Sequence, residues 1–489
     1  MKKNIIIVGS GNAAMSAGIA ALETGAHVMM LEKADMELAG GNTKYTAGAM
    51  RFCYDNSDAL LPLLSSPSDK RVLRTDFGSY TPEKFAEDLL GFNDGKPLSL
   101  EQQRLISESY DAVTWLAKYG VKYEPIYSRQ SFEKDGRIIF WGGLTLAAKN
   151  EGTGLYEMEK RAFEKLGGTI RYDAGVTGLT TSGRRVTGVL VEDEKIRADA
   201  VILACGGFEA NDEFRSSELG SEWVAARVRG TPHNTGDGLK MALALGAQRY
   251  GRYDLCHATP MDLHMKEFGN LELPHKQRKN YRKICYFLGI MLNAYGVRFV
   301  DEGINFRNYT YAQFGRAVLE QPNQLAWQIF DSKVFNLLYE EYRFEDASFI
   351  EADSLEELAS KLYGVDATQA LATLFEYNNA VDPDRDFDPT VLDGKATVGL
   401  KLNKTNWAQK LDEPPYRAFP VTGGITFTYG GLKVDERGSV LSESNSPIEG
   451  LFACGEIVGG IFFGGYPGGS GLTSGTVFGR RAGIGASLN

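Results

Sequence analysis

A glycine-rich turn near the start of the chain constrains the fold more than any other feature. Ile5 to Val8 is a β-branched run without alternation, typical of a strand buried on both faces of a parallel sheet. It runs into Gly9-Ser10-Gly11-Asn12-Ala13-Ala14, which should open a helix from about Ala13 to Thr24. The segment from His27 to Glu32 then predicts a second strand. Together these elements form a βαβ unit of about 30 residues.

The spacing within this unit predicts a dinucleotide site. Gly9, Gly11 and Ala14 provide Gly-x-Gly-x-x-Ala, whose glycines let a pyrophosphate approach a helix N-terminus. Glu32 follows Ala14 by 18 residues and can accept hydrogen bonds from a ribose diol. The alternative is a βαβ turn whose glycines serve packing alone.

Composition restricts the partners and the compartment. The 489 residues carry a net charge of −10, so no global field attracts nucleic acid or an anionic membrane. An anionic ligand must therefore be held by local donors. The 5 cysteines form no Cys-x-x-Cys pair, which argues against a disulfide framework, a zinc site and an iron-sulfur site. We expect no metal and a reducing, cytoplasmic location.

The N-terminus resembles a signal peptide only superficially. Met1-Lys2-Lys3 precedes an apolar stretch, but that stretch continues into the glycine turn, which cleavage would destroy. Other apolar runs fall short of the roughly 18 residues that span a bilayer. The sequence therefore predicts a soluble protein without an integral membrane segment.

A second buried strand recurs late in the chain. Val201 to Gly207 and Gly450 to Glu456 both carry an apolar run that ends in Ala-Cys-Gly, which predicts that both belong to one sheet. The roughly 200 residues between them must include an inserted domain. Thr169 to Val176 and Val186 to Val191 are expected to form a small antiparallel element. In the insert, Ser354 predicts a helix start with Glu357 completing a capping box.

Glycine-rich segments after the first unit favour FAD over NAD. Gly40 to Gly48, which includes Gly41, supplies small residues and backbone donors where an extended flavin would run. Asp237 opens a further helix, and Glu456 offers a carboxylate to ribityl hydroxyls. Gly468 to Leu472, which includes Gly471, leads into a helix whose N-terminus would stabilise the reduced flavin.

Together these motifs resemble the flavoprotein family of fumarate reductase, succinate dehydrogenase, aspartate oxidase and the 3-ketosteroid dehydrogenases. The resemblance implies an α/β fold: a discontinuous Rossmann-like FAD-binding domain, residues 1–252 and 416–489, with an inserted α+β capping domain, residues 253–415. No histidine lies between Gly40 and Arg51, where succinate dehydrogenase-like members carry their flavin-linked histidine, so noncovalent FAD is expected. The resemblance implies these cofactor contacts: Ala13, Glu32, Asn42, Thr43, Ala47, Gly48, Val176, Asp237, Glu456 and Leu472.

The resemblance also implies a proton-transfer arginine. Gly296 to Glu302 is similar to the Gly-x-Arg-Phe-x-Asn-Glu stretch of soluble fumarate reductases, and Arg307 falls one residue later than that stretch predicts. The run from Asp301 to Phe314 is most similar to tricarballylate dehydrogenase-like members. In such chemistry a hydride passes between flavin N5 and one carbon while a proton moves at its neighbour. The alternative is that Arg307 merely pairs with Asp301 or Glu302.

The substrate end departs from fumarate reductase. Thr426 and Phe427 replace its histidine pair, and Tyr466 replaces its carboxylate-binding arginine, which leaves an aromatic pocket. Only His257 lies where the family has another substrate-facing histidine, and a core role for it is equally open. The basic cluster from His275 to Lys283 supplies cations if it folds over the flavin, although a solvated face is its commoner position.

Tyr466 and the Ser470 amide resemble the way that 3-ketosteroid dehydrogenases hold a substrate carbonyl. The expected activity is therefore oxidation or reduction of a CH–CH or C=C bond beside a carboxylate or carbonyl. The alternatives are a ketosteroid dehydrogenase-like enzyme and a noncatalytic flavin-binding redox sensor. A small-molecule substrate and an external electron partner (oxygen, a quinone or a redox protein) are expected.

Aspartates 382, 384, 386, 388 and 393 are spaced like a calcium loop, but Phe387 stands where the sharp turn needs glycine. We therefore expect no calcium site.

Overall fold

A six-stranded sheet joins the two ends of the chain in the computed structural model, which describes residues 2–140, 143–274 and 277–488. Ile5 to Val8 pairs in parallel with both neighbouring strands, so this apolar run is buried on both faces as expected. The edge pair at 439–453 is antiparallel. In spatial order the strands are Ser439–Leu441, Pro447–Ala453, Ala200–Leu203, Asn4–Val8, His27–Leu31 and Thr169–Arg171.

The two Ala-Cys-Gly strands lie side by side, as predicted, because Val201–Leu203 pairs in parallel with Leu451–Ala453. The prediction for the segment at 169–176 was wrong in part. Thr169–Arg171 extends the central sheet at its edge, and the chain then leaves that sheet through Asp173, whose φ is +50°. A separate antiparallel sheet contains Val176–Ser182, Arg185–Val191 and Glu194–Arg197.

A second six-stranded sheet is organised around one long strand, Tyr416–Thr428. This strand begins at residue 416, beyond the predicted end of the capping domain at residue 415, so the sheet extends past that bound. The other strands are Arg227–Val228, Cys256–Asp262, Ile290–Asn293, Ala326–Phe330 and Ile350–Ala352.

Short strand pairs and helices complete the fold. The small sheets contain Ala49–Met50, Leu146–Ala148 and Tyr123–Pro125; Thr75–Asp76, Arg137–Phe140 and Ser131–Lys134; and Arg249–Tyr250 with Gly431–Leu432. The α-helices are Asn12–Glu23, Lys70–Leu73, Pro82–Leu90, Leu100–Lys118, Tyr127–Gln130, Glu151–Lys165, Asp212–Glu218, Asp237–Ala244, Arg307–Leu319, Leu355–Lys361, Ala367–Ala380 and Ser470–Leu488.

The C-terminal helix packs closely against the first helix. A Cβ on Gly479 would lie 2.5 Å from the Ala13 carbonyl oxygen, and one on Gly483 would lie 2.2 Å from that of Ala17. Only glycine allows this approach. The contact places residues 470–475 beside the glycine turn at the start of the chain.

The predicted helix start at Ser354 is confirmed, because its side chain accepts a hydrogen bond from the Glu357 N–H at 3.1 Å. The capping box is incomplete, since the Glu357 carboxylate accepts from the Asp353 N–H instead.

In the aspartate-rich loop, Asp393 accepts hydrogen bonds from the N–H groups of Asp388, Lys395 and Trp407. Among the described residues, no cluster of three or more metal-binding side chains occurs, and none of the helices is long and apolar enough to cross a membrane.

Glu159, on the helix Glu151–Lys165, is fully buried, and its carboxylate oxygens have no hydrogen-bond partner within the described residues. Burial raises the pKa of this carboxyl well above its usual value. A raised pKa means that ionisation costs stability, and the cost grows as pH rises from about 4.3 towards the folded-state pKa. We therefore expect Glu159→Met to raise the free energy of unfolding at neutral pH by about 1–3 kcal/mol, the cost of a buried unsatisfied group. Melting temperatures across pH 4 to 9 test this, and an equal gain at every pH would contradict it.

Candidate active site

An elongated cavity of about 290 Å³ lies at the carboxyl ends of the central parallel strands. Val8, Leu31 and Ala204 follow or end three of these strands and line the cavity. This edge of an open α/β sheet is where such folds bind ligands. The cavity continues to the second sheet, where Arg229, His257 and Phe427 line its far end.

Most of the predicted residues line this cavity. They are Gly9, Gly11, Ala13, Glu32, Gly41, Asn42, Thr43, Ala47, Val176, Asp237, Glu456, Gly471 and Leu472 from the predicted cofactor contacts, with Arg307, Tyr466, His257, Thr426 and Phe427 from the predicted catalytic and substrate contacts. The structure therefore brings together segments that are more than 450 residues apart, such as Gly9 and Leu472.

Three predicted residues are placed outside the cavity lining. Ala14 is fully buried in the first helix. Gly48 has a φ of +67°, and a Cβ there would lie 2.6 Å from the Glu151 carbonyl carbon, so its need for glycine comes from packing. Ser470 is fully buried, and its N–H and hydroxyl both donate to the Pro467 carbonyl, at 3.2 and 2.7 Å. This arrangement overturns the expectation that the Ser470 amide is free for a substrate carbonyl.

The glycine-turn end of the cavity has the features of a nucleotide site. The first helix begins after Gly11, which provides no side-chain cap. The Asn12 N–H donates to the Thr43 hydroxyl at 2.9 Å, and the N–H groups of the next residues are available to an anion. Glu32 is fixed by hydrogen bonds from the Ser10 hydroxyl at 2.5 Å and the Ala34 N–H at 2.9 Å. Asp237 accepts from Lys33 at 2.9 Å and from the Thr235 hydroxyl at 2.8 Å.

Three arginines line the opposite end: Arg229, Arg282 and Arg307. Sequence reasoning identified only Arg307. Arg282 belongs to the basic cluster, of which His275 and Lys276 lie outside the described residues; its guanidinium pairs with Glu341 at 2.7 Å. The cluster therefore does reach the cavity, through Arg282.

Arg229 is a half-buried cation without an ion pair among the described residues. Its Nε donates to the Thr426 hydroxyl at 3.0 Å. Burial and the neighbouring Arg282 guanidinium lower the pKa of Arg229 to about 10. An anion bound in the cavity would offset this unfavourable charge.

Arg307 begins the helix Arg307–Leu319. The alternative ion pairs of Arg307 do not form, because Glu302 pairs with Arg298 at 2.5 Å and Asp301 accepts from the Thr405 hydroxyl at 2.8 Å. The Arg307 guanidinium lies 5.8 Å from the ring centre of Tyr311 and 5.4 Å from that of Tyr339. Within the described part of the chain it makes no ion pair, so its donors face the cavity.

An aromatic wall surrounds His257. Ring centres of Tyr311, Phe427 and Tyr466 lie 4.9, 5.1 and 5.0 Å from its imidazole. Burial, and secondly the Arg229 guanidinium, hold the pKa of His257 well below its usual value, so this side chain is neutral at physiological pH. Phe462 extends the wall, with its ring centre 5.1 Å from that of Tyr466.

The Tyr466 hydroxyl is oriented by backbone donors. The N–H groups of Gly469 and Gly471 donate to its oxygen at 2.9 and 3.1 Å. Because both lone pairs are used, the hydroxyl has only its proton to offer, and no acceptor for that proton occurs among the described residues. Tyr466 can therefore act as a hydrogen-bond donor to an oxygen in the cavity.

A second cavity of about 560 Å³ adjoins the first. Thr46, Ala47, Arg229 and Arg282 line both cavities. Its walls include Met261, Met265, Phe268 and Phe344 as well as polar side chains. The substrate end thus borders a second cavity with a partly apolar surface.

Residues 4–472 match the protein family described as FAD binding domain. The chain belongs to this family. The FAD-binding protein is 29% identical over 98% of its length to fumarate reductase (cytochrome) of Shewanella frigidimarina, 76% of which is covered. It is 26% identical over 94% of its length to vinyl phenol reductase of Lactiplantibacillus plantarum, with 90% of that protein covered. The structure of 3-ketosteroid Δ1-dehydrogenase from Sterolibacterium denitrificans superposes with a TM-score of 0.74 at 21% identity, covering 99% of this chain and all of that one.

These comparisons confirm the expected α/β fold, the cofactor FAD and the family resemblance. The FAD-binding protein is an oxidoreductase, as its relatives are. The residues present fit FAD, since a glycine turn, an uncapped helix N-terminus and a fixed carboxylate lie along one cavity. Bound FAD supplies hydride chemistry to this site.

We expect Glu32→Ala to weaken FAD binding to this FAD-binding protein by about 1–3 kcal/mol, because a charged ribose acceptor is lost. Fluorescence titration of the apoprotein with FAD measures this. Glu213→Ala, an exposed change away from the cavity, serves as the control. Unchanged FAD affinity in Glu32→Ala would place the ribose elsewhere.

Proposed function

We propose that the protein is a noncovalent FAD-dependent reductase of C=C bonds conjugated to a carboxylate, with the reverse dehydrogenation sharing the site. The observation that carries the proposal is the Arg307 guanidinium, which lines the cavity without an ion pair among the described residues. Relatives named fumarate, vinyl phenol and urocanate reductases support the reduction of a C=C bond, and the arginines of the cavity support the carboxylate.

Arg229 and Arg307 have different roles in the proposed reaction. Arg229 binds the substrate carboxylate, because it lines the cavity and its charge is not offset by an acidic partner in the described structure. Arg307 holds the proton that is delivered to the carbon next to the carboxylate. Tyr466 donates a hydrogen bond to a substrate oxygen and thereby polarises the conjugated system.

The balance of charges favours one carboxylate over two. The charge of Arg282 is already matched by Glu341, whereas Arg229 has only the neutral Thr426 as partner. His257 is neutral and contributes no charge. Arg307 is the other cavity cation without an ion pair among the described residues, and its proposed role is proton delivery. A second desolvated carboxylate would therefore lack a cationic partner of its own, which is costly in a buried site. The aromatic wall of Phe427, Phe462 and Tyr466 suits an apolar or aromatic body instead.

A ketosteroid dehydrogenase-like activity is the less favoured alternative. Tyr466 supplies one of the two expected carbonyl donors, but the Ser470 amide is taken by Pro467. The charge of Arg229 at the cavity wall would also face a neutral ketone, which offsets it less than a carboxylate does.

Anaerobic reoxidation of the reduced flavin tests the proposal. Acrylate, cinnamate, 4-vinylphenol, fumarate, tricarballylate and a 3-ketosteroid are compared by recovery of the oxidised flavin absorbance. Cinnamate-type monocarboxylates should reoxidise the flavin faster than fumarate. Fast reoxidation by fumarate alone would contradict the single-carboxylate pocket, and no reoxidation by any C=C compound would favour the redox sensor.

In turnover the electrons come from an external partner, for which a quinone or a redox protein is proposed. Oxygen is proposed as acceptor in the reverse direction.

A further inference from the structure

Two glutamates lie together beside the cofactor cavity. Glu209 is fully buried, and Glu456 lines the cavity. The Asn234 side-chain amide donates to Glu209 Oε1 at 2.7 Å and to Glu456 Oε2 at 3.4 Å, so one amide bridges both groups. Two carboxylates held this close by one amide repel each other strongly in a buried site, and a proton on one of them removes that repulsion.

The surrounding donors show which oxygen carries that proton. Glu209 Oε1 accepts a second bond from Asn42 Nδ2 at 2.7 Å, and the orientation of Asn42 is set by the Thr231 N–H, which donates to its Oδ1. Glu456 Oε1 accepts from the Thr428 N–H at 2.8 Å. Glu209 Oε2 is buried and receives no donor from the described residues. An anionic oxygen there would be costly, whereas a protonated one can donate to Glu456.

The charged neighbours do not change this conclusion. Arg215 Nη1 donates to the backbone carbonyl of Glu209, and its guanidinium lies 2.5 Å from Asp212 and 3.7 Å from Glu267. The Cys256 thiol is a further neighbour, and its burial and raised pKa keep it neutral. No cation pairs with either glutamate within the described ranges. Burial raises the pKa of both carboxyls, and the mutual repulsion of two anions favours a single proton on the pair.

We propose that Glu209 and Glu456 share one proton, so that the pair is a proton-holding site that presents a single negative charge to the FAD. Glu209 is the acid, and Glu456 is the carboxylate that accepts hydrogen bonds from the cofactor. Glu209 is thus a positioning residue, because it acts on FAD through Glu456. This inference depends on FAD binding and is independent of the reaction proposed above.

Net charge measures the shared proton directly. Native electrophoresis of the FAD-loaded protein at neutral pH should show no charge difference between wild type and Glu209→Gln, because a neutral acid is replaced by a neutral amide. The double variant Glu209→Gln/Glu456→Gln should carry one negative charge fewer than Glu209→Gln. The single control variant Glu213→Gln, at an exposed position, should carry one negative charge fewer than the wild type. A one-charge shift in Glu209→Gln would overturn the proposal, as would no shift on adding Glu456→Gln.

FAD affinity separates this role from simple packing. Glutamine at position 209 keeps a hydrogen-bond donor to Glu456, so Glu209→Gln should bind FAD with an affinity within about threefold of the wild type. Methionine offers no such donor, so Glu209→Met should bind FAD at least about tenfold more weakly than the wild type. The infrared band of one protonated carboxyl should be lost in both variants. Retention of that band in Glu209→Gln, or equal FAD affinity of the Gln and Met variants, would contradict the proposal.

Discussion

Arg307→Lys is expected to reduce turnover by about 100-fold or more while the FAD content stays unchanged. Lysine keeps the positive charge but loses the planar fork of donors that holds a proton in a fixed direction. The guanidinium lies against Tyr311 and Tyr339, whose rings fix its position through contacts that an ammonium group makes less well. Stopped-flow reoxidation of the reduced flavin by the best substrate measures the rate of this step.

Arg316→Lys is the matched control for that change. It lies on the same helix as Arg307 but pairs with Glu320 at 2.8 Å, outside both cavities. It should keep the wild-type rate. If Arg307→Lys also turns over at the wild-type rate, proton transfer belongs to another group. Tyr311 would then be favoured over Tyr309, because Tyr311 lines the cavity whereas the Tyr309 hydroxyl donates to Asp88.

The second large effect is expected at Arg229. Arg229→Met removes the partner of the substrate carboxylate, and the loss of a buried charge pair of this kind costs about 2–5 kcal/mol. The ratio kcat/KM for a monocarboxylate should therefore fall by about 100-fold or more. The same variant should lose the thermal stabilisation that a carboxylate ligand gives the wild type.

Arg227→Met is the control for Arg229. Arg227 precedes Arg229 by two residues and lies outside both cavities. It should leave carboxylate binding unchanged. Equal losses in the two variants would point to damage of the segment around residues 227–229, and no loss in Arg229→Met would assign the carboxylate to Arg282.

The cofactor end of the site was predictable from sequence because its signals are local. The residues from Gly9 to Glu32 form one βαβ unit, and the need of a pyrophosphate for glycine and a helix N-terminus fixes their spacing. The same logic identified Asp237 and Glu456, which follow or open recognisable elements. Gly48 and Ala14 were assigned to FAD because close approach of a cofactor and close packing within the protein both require small residues. The sequence does not distinguish these two causes.

The substrate end was less predictable because its residues come from separate strands and loops. Arg229 follows a strand of two residues, Arg227–Val228, and no spacing marks it as a ligand. Arg282 lies in a basic run that usually indicates a solvated face. Its position in the cavity wall depends on the ion pair with the buried Glu341, which the sequence does not indicate. The Ser470 amide was misjudged because its own turn bond to Pro467 is a tertiary detail.

The packing of the last helix on the first has a consequence for biosynthesis. Gly471, Leu472 and Gly475 line the same cavity as Gly9 and Gly11, so the pyrophosphate turn and the helix that closes over it come from opposite ends of the chain. A ribosome releases these two segments at different times, and the early one has no partner until the late one emerges. FAD therefore cannot be fully enclosed during translation. Its cavity is complete only after the last strands of the central sheet and the C-terminal helix have been synthesised.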